Sequence, residues 1–442
     1  MPELTVVGVG GSKVDVSINT SIAASVAATL LNIITNKVQQ GKLTAYAYDG
    51  TGPLGGPGDG SQAQSGGWHG QGHDDDRHGH GGKADHGDHD GQGGGWSPSS
   101  PTPGYLIVTG PGAVSLPAST EYVVNVATAP ALLFGGTASI QGVVSDGPLT
   151  YVANTGAGTV VAGGGNSRLS TQAKGGGDHL FVVDGDNNVV QAFSGNDTVE
   201  TVGGKNTVVL GSGNDLVVVQ GGMDSIAAGS GNDTVDVVRG SALVLGGTGS
   251  LYFADAGGTA STVLGTTGAV TVDGGLGGGV YRGGSDGSNQ LTGGLAATTL
   301  FGAGSNDDLT GVSTVSDLLV AGHGAETLFA AGSGNSTLQG GSGPDSMAAL
   351  GAATLIGGSG GGTMTGGLGN TLFEFAANES AGHFTVTDFI TGDLIKLAGL
   401  TGGQINKIVA TQINAGGNTT ITMGDAKVTF LDVSHLDRSS FT

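Results

Sequence analysis

A nine-residue repeat runs through residues 175–244 and constrains the fold more than any other feature of the sequence. Each unit reads Gly-x-(Asp/Asn)-x-aliphatic, with a period of nine that slips once to ten. In this alignment the acid or amide position holds Asp178, Asn187, Asp197, Asn206, Asp215, Asp224, Asp233 and Ala242. The aliphatic position holds Leu180, Val189, Val199, Val208, Val217, Ile226, Val235 and Val244. So short a period predicts stacked, near-identical units rather than a layered globular core.

The composition agrees with a thin, long interior. Glycine supplies 92 of the 442 residues and aromatic residues only 5%, so large side chains are too few for conventional layered cores. Hydrophobic residues still make up 37% of the chain, which is enough to line a narrow interior and argues against wholesale disorder.

The charge and the termini limit the partners. A formal net charge of -22 disfavours nucleic acid and anionic membranes and favours divalent cations. The absence of cysteine excludes disulfides and thiolate metal sites. The first residues lack the pattern of a cleaved signal peptide, and no window predicts membrane insertion. We therefore expect a soluble protein, either cytoplasmic or exported by a route that reads no N-terminal signal.

Residues 1–48 are predicted to form an N-terminal cap of two short strands and a helix. Asn19 or Thr20 is the expected helix start and Gly41 the expected stop. The predicted apolar stripe consists of Ile22, Val26, Leu30, Ile33 and Ile34. Covering the open end of a strand stack is the favoured role. A membrane-binding helix is the alternative, disfavoured because the polar face has almost no Lys or Arg.

Residues 49–104 form a Gly-, His- and Asp-rich insertion that is predicted to be a flexible linker. Its histidines are His69, His73, His78, His80, His86 and His89. Imidazole suits Zn²⁺ or Ni²⁺, although the irregular spacing favours a solvated, pH-responsive linker over a specific metal site. Trp68 and Trp96 flank this cluster and are candidate contacts for a neighbouring subunit or a glycan.

The remaining chain divides into three parts. Residues 105–174 read as metal-poor β-solenoid rungs, residues 175–375 as the repeat, and residues 376–442 as a C-terminal cap. After residue 244 the repeat loses the acids at this position and later regains them. The acid position is then occupied by Asn289, Thr298, Asp307, Asp317, Glu326, Ser336 and Asp345, each followed two residues later by Leu or Met.

The acid position lies beside the glycines and is therefore expected on a turn. Carboxylate and turn carbonyl oxygens are hard ligands, and Ca²⁺ takes about 6 to 8 of them. The alternative for any single acid is a solvated turn residue that caps a backbone N–H.

The units GSGNDLVVV, GSGNDTVDV and GGLGNTLFEF resemble the RTX nonapeptide of calcium-binding proteins exported by type I secretion. The segments FEFAANES, VTDFITGDLIKL and NTTITMGDAKVTFLDV resemble the tail that caps such proteins and carries an uncleaved secretion signal. The resemblance covers about residues 175–442. It implies an all-β fold, a parallel β-roll or β-helix solenoid with a C-terminal β cap, to which the pattern of residues 1–48 adds a short N-terminal α-helical cap.

The resemblance also implies that consecutive units alternate between two sides of the roll. One row would hold Asp178, Asp197, Asp215 and Asp233, with Ca²⁺ between neighbours. The other row, which includes Asp224, is depleted in acids. In the later block, Asp307, Glu326 and Asp345 would form the row on one side, opposite Asp317 and Ser336.

No catalytic constellation is expected. The chain has no H-E-x-x-H, and its G-x-S-x-G match at residues 357–361 lies inside the repeat. The sequence predicts a secreted structural protein whose partner is itself, assembled into a filament, surface layer or biofilm matrix. The alternatives are an adhesin or carbohydrate-binding matrix protein that contacts cell-surface polysaccharide, and a transition-metal scavenger that uses the His-rich insertion.

Overall fold

The computed structural model describes residues 3–18, 21–49, 104–135, 140–153, 155–172, 174–376 and 382–442. Nearly all of the regular structure is β, and it forms a parallel solenoid of about 16 turns with two short helices. The predicted fold class is therefore confirmed. The helix start at Asn19 or Thr20 and the six His and two Trp of the insertion lie outside the described residues.

The N-terminal cap contains two antiparallel strands and one helix. Strands β1 (Glu3–Val7) and β2 (Lys13–Ser17) pair with each other, and helix α1 spans Ser21–Gln39. The helix ends as predicted, because Gly41 has φ +67° and the Lys42 N–H bonds the Lys37 carbonyl oxygen at 2.9 Å.

The buried stripe of α1 differs from the predicted one. The fully covered residues are Ala23, Ala24, Ala27, Leu30, Leu31 and Ile34. Ile33 is 39% exposed. The prediction was wrong for Ile33 because it favoured large side chains, whereas the helix approaches the sheet closely through its alanines.

The solenoid strands in the N-terminal half are β3 (Thr44–Tyr48), β4 (Gly104–Val108), β5 (Gly112–Ser115), β6 (Thr120–Asn125), β7 (Ala131–Phe134), β8 (Gly142–Ser145), β9 (Leu149–Val152), β10 (Gly158–Ala162), β11 (Arg168–Ser170), β12 (His179–Asp184), β13 (Val189–Ser194), β14 (Thr198–Val202), β15 (Thr207–Ser212), β16 (Leu216–Ala227) and β17 (Asn232–Leu245). Because β3 pairs in parallel with β4, the solenoid already begins within residues 1–48.

The later strands are β18 (Ser250–Asp255), β19 (Ser261–Leu264), β20 (Val270–Asp273), β21 (Gly279–Arg282), β22 (Gln290–Thr292), β23 (Thr298–Phe301), β24 (Asp308–Gly311), β25 (Leu318–Val320), β26 (Thr327–Ala330), β27 (Ser336–Gln339), β28 (Asp345–Ala349), β29 (Ala353–Ile356), β30 (Gly362–Thr365), β31 (Thr371–Ala376), β32 (His383–Val386), β33 (Leu394–Ala398), β34 (Ile413–Ala415), β35 (Asn418–Met423) and β36 (Ala426–Phe430). Helix α2 spans Gly402–Ala410.

Parallel pairing skips every second strand and so builds two walls. Sheet I contains β12, β14, β18, β20, β22 and the other strands in line with them, whereas sheet II contains β13, β15, β19, β21, β23 and theirs. The long strands β16 and β17 pass through the corner and contribute to both sheets. One circuit, called a coil here, therefore comprises one strand of each sheet. This alternation is the one implied by the RTX resemblance.

The core lies between the two sheets. Every second residue of a strand points inward, and sheet I contributes Phe181, Val199, Val217, Val235 and Phe253, all fully buried. The inward column of sheet II contains Val190, Val208, Ile226, Val244, Val263 and Tyr281. The predicted aliphatic positions from Val199 onward thus face the core.

The C-terminal end is closed by a small antiparallel unit. β35 pairs with β36 and β34 in antiparallel fashion, while β36 continues sheet I by pairing in parallel with β32. Helix α2 begins with a capping box in which Thr401 and Gln404 bond each other's backbone N–H groups. Among the described residues, no helix combines the length and apolarity needed to cross a bilayer.

Candidate metal centre

The acids of the repeat stack at the start of the sheet I strands. His179, Asp197, Asp215 and Asp233 occupy equivalent positions on consecutive coils, and all four are buried. Oδ1 of each Asp accepts a hydrogen bond from the backbone N–H of the residue one coil earlier. The three distances, from His179 to Asp197, Asp197 to Asp215 and Asp215 to Asp233, are 2.8, 2.7 and 3.1 Å. We call this column the sheet I ladder.

The first two units of the predicted alignment are out of frame by one residue. Leu180 pairs with Thr198, so His179, and not Asp178, occupies the Asp197 position. Asp178 is exposed and accepts a hydrogen bond from the Asn196 N–H at 2.7 Å. In sheet II, Val189 pairs with Thr207, so Asn188 replaces the predicted Asn187. With these two corrections the period is nine throughout and the slip disappears.

The equivalent column of sheet II uses amides and hydroxyls as well as acids. Asn188 N–H donates to Oδ1 of Asn206, whose own N–H donates to Oδ1 of Asp224. Further along, Ala242 N–H donates to the Ser261 hydroxyl. Neutral acceptors therefore serve the same structural purpose as carboxylates, which explains why Asn and Ser replace Asp in the degenerate units.

The later block repeats this arrangement and confirms the predicted sorting. Asp307, Glu326 and Asp345 stack on sheet I, whereas Asp317 and Ser336 stack on sheet II. Glu326 N–H donates to Oδ1 of Asp345 at 3.1 Å, and Asp317 N–H donates to the Ser336 hydroxyl at 3.1 Å.

The predicted calcium ligands differ in how far the protein already satisfies them. Asp224 is fully buried and both of its oxygens are bonded, one by the Thr201 hydroxyl and one by the Asn206 N–H. Asp233, Asp307 and Asp345 likewise accept backbone N–H groups through both oxygens.

Only a few of these acids have oxygens without a partner. Oδ2 of Asp197, Oδ2 of Asp215 and both carboxyl oxygens of Glu326 are buried and accept no hydrogen bond. An ionised oxygen in this state is costly unless a cation or a proton compensates it. These three side chains are thus the strongest candidates for contact with a cation.

Two of these three side chains, Asp215 and Glu326, have strongly raised pKa values. Burial, reinforced by the charges of Asp233, Asp197 and Asp178, raises the pKa of Asp215 to about 6. Burial together with neighbouring Asp345 and Asp307 raises the pKa of Glu326 to about 8. Each side chain therefore keeps its proton to a higher pH than an exposed carboxyl does, until a positive charge is supplied.

Calcium fits the chemistry of the sheet I ladder, because its donors are carboxylates beside turn carbonyls. Within the described residues, no three His, Cys, Asp or Glu side chains converge to form a cluster of metal ligands. An ion held there would consequently lie between two adjacent coils, take carboxylates from Asp197 and Asp215 or from Asp215 and Asp233, and complete its shell with backbone carbonyls.

Glycine is required beside the sheet I ladder because a side chain would have no space there. Gly213 and Gly231 precede Asp215 and Asp233 by two residues, and a Cβ on Gly231 would lie 1.7 Å from the Gly213 carbonyl oxygen. The backbones of adjacent coils therefore touch directly at this corner.

A second ladder at the same corner was not predicted. Asn214 N–H donates to Oδ1 of Asn196 at 2.8 Å, and Asn232 N–H donates to Oδ1 of Asn214 at 2.9 Å. The recurring Asn-Asp pair in the units GSGND was the available signal: Asp accepts from the preceding coil, while Asn accepts from the following one.

A scan against protein-family models found no match, and a search of curated proteins also found none.

Proposed function

We propose that this chain is a secreted calcium-binding structural protein that folds outside the cell and self-assembles into an extracellular filament, surface layer or biofilm matrix. A β-solenoid fold is typical of structural proteins, and the proposal assigns the chain no catalytic activity. The calcium ions would be held by the sheet I ladder, principally at Asp197, Asp215 and Asp233.

The observation that carries the proposal is the pair of buried, unpartnered oxygens on Asp197 and Asp215. These two side chains lie on adjacent coils, and Oδ1 of Asp215 is already engaged by the Asp197 N–H. Each Oδ2 is therefore the free acceptor of a side chain whose orientation is fixed. A divalent cation between coils would offset the repulsion of the stacked carboxylates and bind only the folded chain.

The same chemistry supports an extracellular location. Calcium is abundant outside cells, so a ligand that stabilises only the folded state would promote folding after export. The resemblance of residues 376–442 to RTX tails supports export by type I secretion without a cleaved signal peptide.

Calcium titration of matched variants tests the metal site. The triple variant Asp197→Asn, Asp215→Asn, Asp233→Asn keeps an acceptor on every coil but removes three charges. We expect calcium to raise the thermal midpoint of the wild type. At a calcium concentration of 100 times the Kd, each site should add about 2.7 kcal/mol to the free energy of unfolding. The triple variant should lose this rise. Asp224→Asn and the exposed Asp308→Asn are controls that should retain it.

Two results would overturn the metal assignment: an unchanged midpoint of the wild type with calcium, or an equal rise in the triple variant. Assembly is tested separately by light scattering and electron microscopy of the full chain with calcium and with chelator. A chain that stays monomeric under both conditions is not a self-assembling matrix protein.

A further inference from the structure

The outward side of sheet II is apolar over most of its length. Successive strands place at one outward column Val209, Ala227, Leu245, Leu264, Arg282, Phe301, Val320, Gln339 and Ile356. The neighbouring column includes Leu243, Val280, Leu318, Leu372 and Leu394, separated mainly by Thr. Leu243 and Leu245 are 47% and 48% exposed. We call this surface the sheet II face.

The outward side of sheet I is different over the same coils. In one column Leu216 and Tyr252 alternate with Thr198, Thr234 and Thr271. The acids Glu200, Asp236, Asp273 and Asp308 also point outward there. Since both sheets belong to the same coils and share one core, coil packing does not account for the difference.

The chain itself shows what happens to an apolar outward surface. In the first coils, sheet I does carry large outward residues, including Tyr105, Ile107, Tyr122 and Val124. Helix α1 covers them through Ala27, Leu31 and Ile34, and all are buried. Beyond this cover, the outward side of sheet I mixes threonines and acids with single apolar residues such as Leu216 and Val218. The continuous apolar outward surface of sheet I therefore coincides with a covering element, whereas the described residues provide none for the sheet II face.

The size of the face matches an interface between copies. From β13 to β33 it extends over about 50 Å at the usual strand spacing, and four-residue strands make it about 13 Å wide. Two copies would bury about 1,300 Å² in total, within the range of specific interfaces. An isolated apolar patch on a monomer is commonly smaller.

Charge selects a second copy as the occupant. The chain has a net charge of -22, so most approaches between two copies bring acids together. Among the described residues of the sheet II face from β13 to β33, the only outward acid is Glu374, and Lys396 neutralises it at 2.9 Å. This face thus allows two copies to approach without stacking their acidic surfaces, and its flat strand repeat has the same 4.8 Å spacing in both copies.

We propose that the sheet II face is the surface through which two copies of this chain pack face to face. The inference deepens the proposed function and rests on its self-assembly, but not on calcium or secretion. Self-association would then occur on the side of the solenoid opposite the acidic outward surface of sheet I.

A matched pair of substitutions tests this assignment. Leu245→Asp places a charge on the sheet II face, whereas Tyr252→Asp places one on the outward side of sheet I at a position of nearly equal exposure, 45%. In sedimentation or light scattering over a concentration series, we expect Leu245→Asp to weaken self-association about tenfold or more. Tyr252→Asp should associate like the wild type. Circular dichroism verifies that both variants fold.

Chemical protection gives an independent readout, because the chain has no cysteine of its own. Leu264→Cys and Tyr252→Cys are labelled with a maleimide at low and high protein concentration. We expect only Leu264→Cys to become protected as copies associate. Association that leaves Leu264→Cys reactive, or that survives Leu245→Asp, overturns the face and leaves the proposed function standing. A wild-type chain that never associates overturns both.

Discussion

The backbone N–H of Asp197 donates a hydrogen bond to Oδ1 of Asp215, one coil further along the solenoid, at 2.7 Å. The carboxylate thus connects two coils before any cation is considered. Because the same contact is made by Asn206 and Ser336 in sheet II, the first requirement at this position is an acceptor. Negative charge is a second and separable requirement.

Substitution of Asp215 separates these two requirements. In chelator, Asp215→Ala should destabilise the chain by about 1 to 3 kcal/mol, because the buried Asp197 N–H loses its partner. Asp215→Asn should stay within about 1 kcal/mol of the wild type, since it retains the acceptor and removes a buried charge. Urea unfolding followed by circular dichroism measures both. Equal losses for Ala and Asn would rule out the acceptor role.

The calcium-free protein should lose stability as the pH rises. The pKa of Asp215 is raised from 3.8 to about 6, and that of Glu326 from 4.5 to about 8, in each case chiefly by burial. The folded chain therefore retains protons that the unfolded chain has already released, so stability is highest below the unfolded pKa values and falls through the folded ones. Burial also raises the pKa of Asp224, Asp233, Asp255 and Asp393, which adds to the same trend.

The measurement is the urea midpoint in chelator between about pH 5 and pH 8, where we expect a decline. Glu326→Gln should flatten the upper part of this decline, because it removes the group that faces Asp307 and Asp345. The exposed Asp308→Asn should leave the slope unchanged. A urea midpoint that rises with pH would show that burial does not raise the pKa of these carboxyls.

Two glycine substitutions distinguish the energetic cost of close contact between adjacent backbones from the cost of backbone strain. Gly231 has φ +125°, and its Cβ would overlap the Gly213 carbonyl, whereas Gly203 has φ +75° with open space around it. Gly203→Ala should cost only the strain of a left-handed residue, about 1 to 2 kcal/mol. Gly231→Ala should cost more than about 3 kcal/mol because two coils must separate. Similar unfolding midpoints for the two variants would contradict direct contact at this corner.

The cap can be tested at two adjacent isoleucines. Ile34 is 1% exposed and packs over sheet I, whereas Ile33 is 39% exposed. Ile34→Ala should destabilise the cap by about 2 to 5 kcal/mol, and Ile33→Ala by much less. Hydrogen exchange of the α1 amides measures the local stability of the cap directly. Equal exchange in the two variants would show that the helix is not held by its buried side.

The solenoid and its alternating walls were predictable from the sequence, because period, glycine and aliphatic positions all agree from Val199 onward. The frame of the first units was not. His179 does not resemble an acid, and Asp178 beside it matches the motif better; the strand register, set by inward Phe181, decided between them. In helix α1, alanines fill the buried stripe that larger residues were expected to fill.

The ladders could not be deduced from a single unit, because each hydrogen bond joins residues about 18 apart on neighbouring coils. For the same reason the sequence could not rank the acids: Asp224 and Asp215 occupy identical motif positions, and only the surrounding partners differ. The apolar outward columns of sheet II were also overlooked, since Leu245 and Leu264 look like ordinary β-strand residues when read along the chain.

The strand alternation also restricts how this chain can change length. Removing one nine-residue unit would shift every later strand to the opposite wall, so the outward leucines of sheet II would continue the column of Thr and Asp on sheet I. Each surface would then change character halfway along the molecule, although every unit still matched the motif. Lengthening or shortening in whole coils of about 18 residues leaves both surfaces continuous, so the coil and not the nonapeptide is the unit in which such a gene can gain or lose sequence.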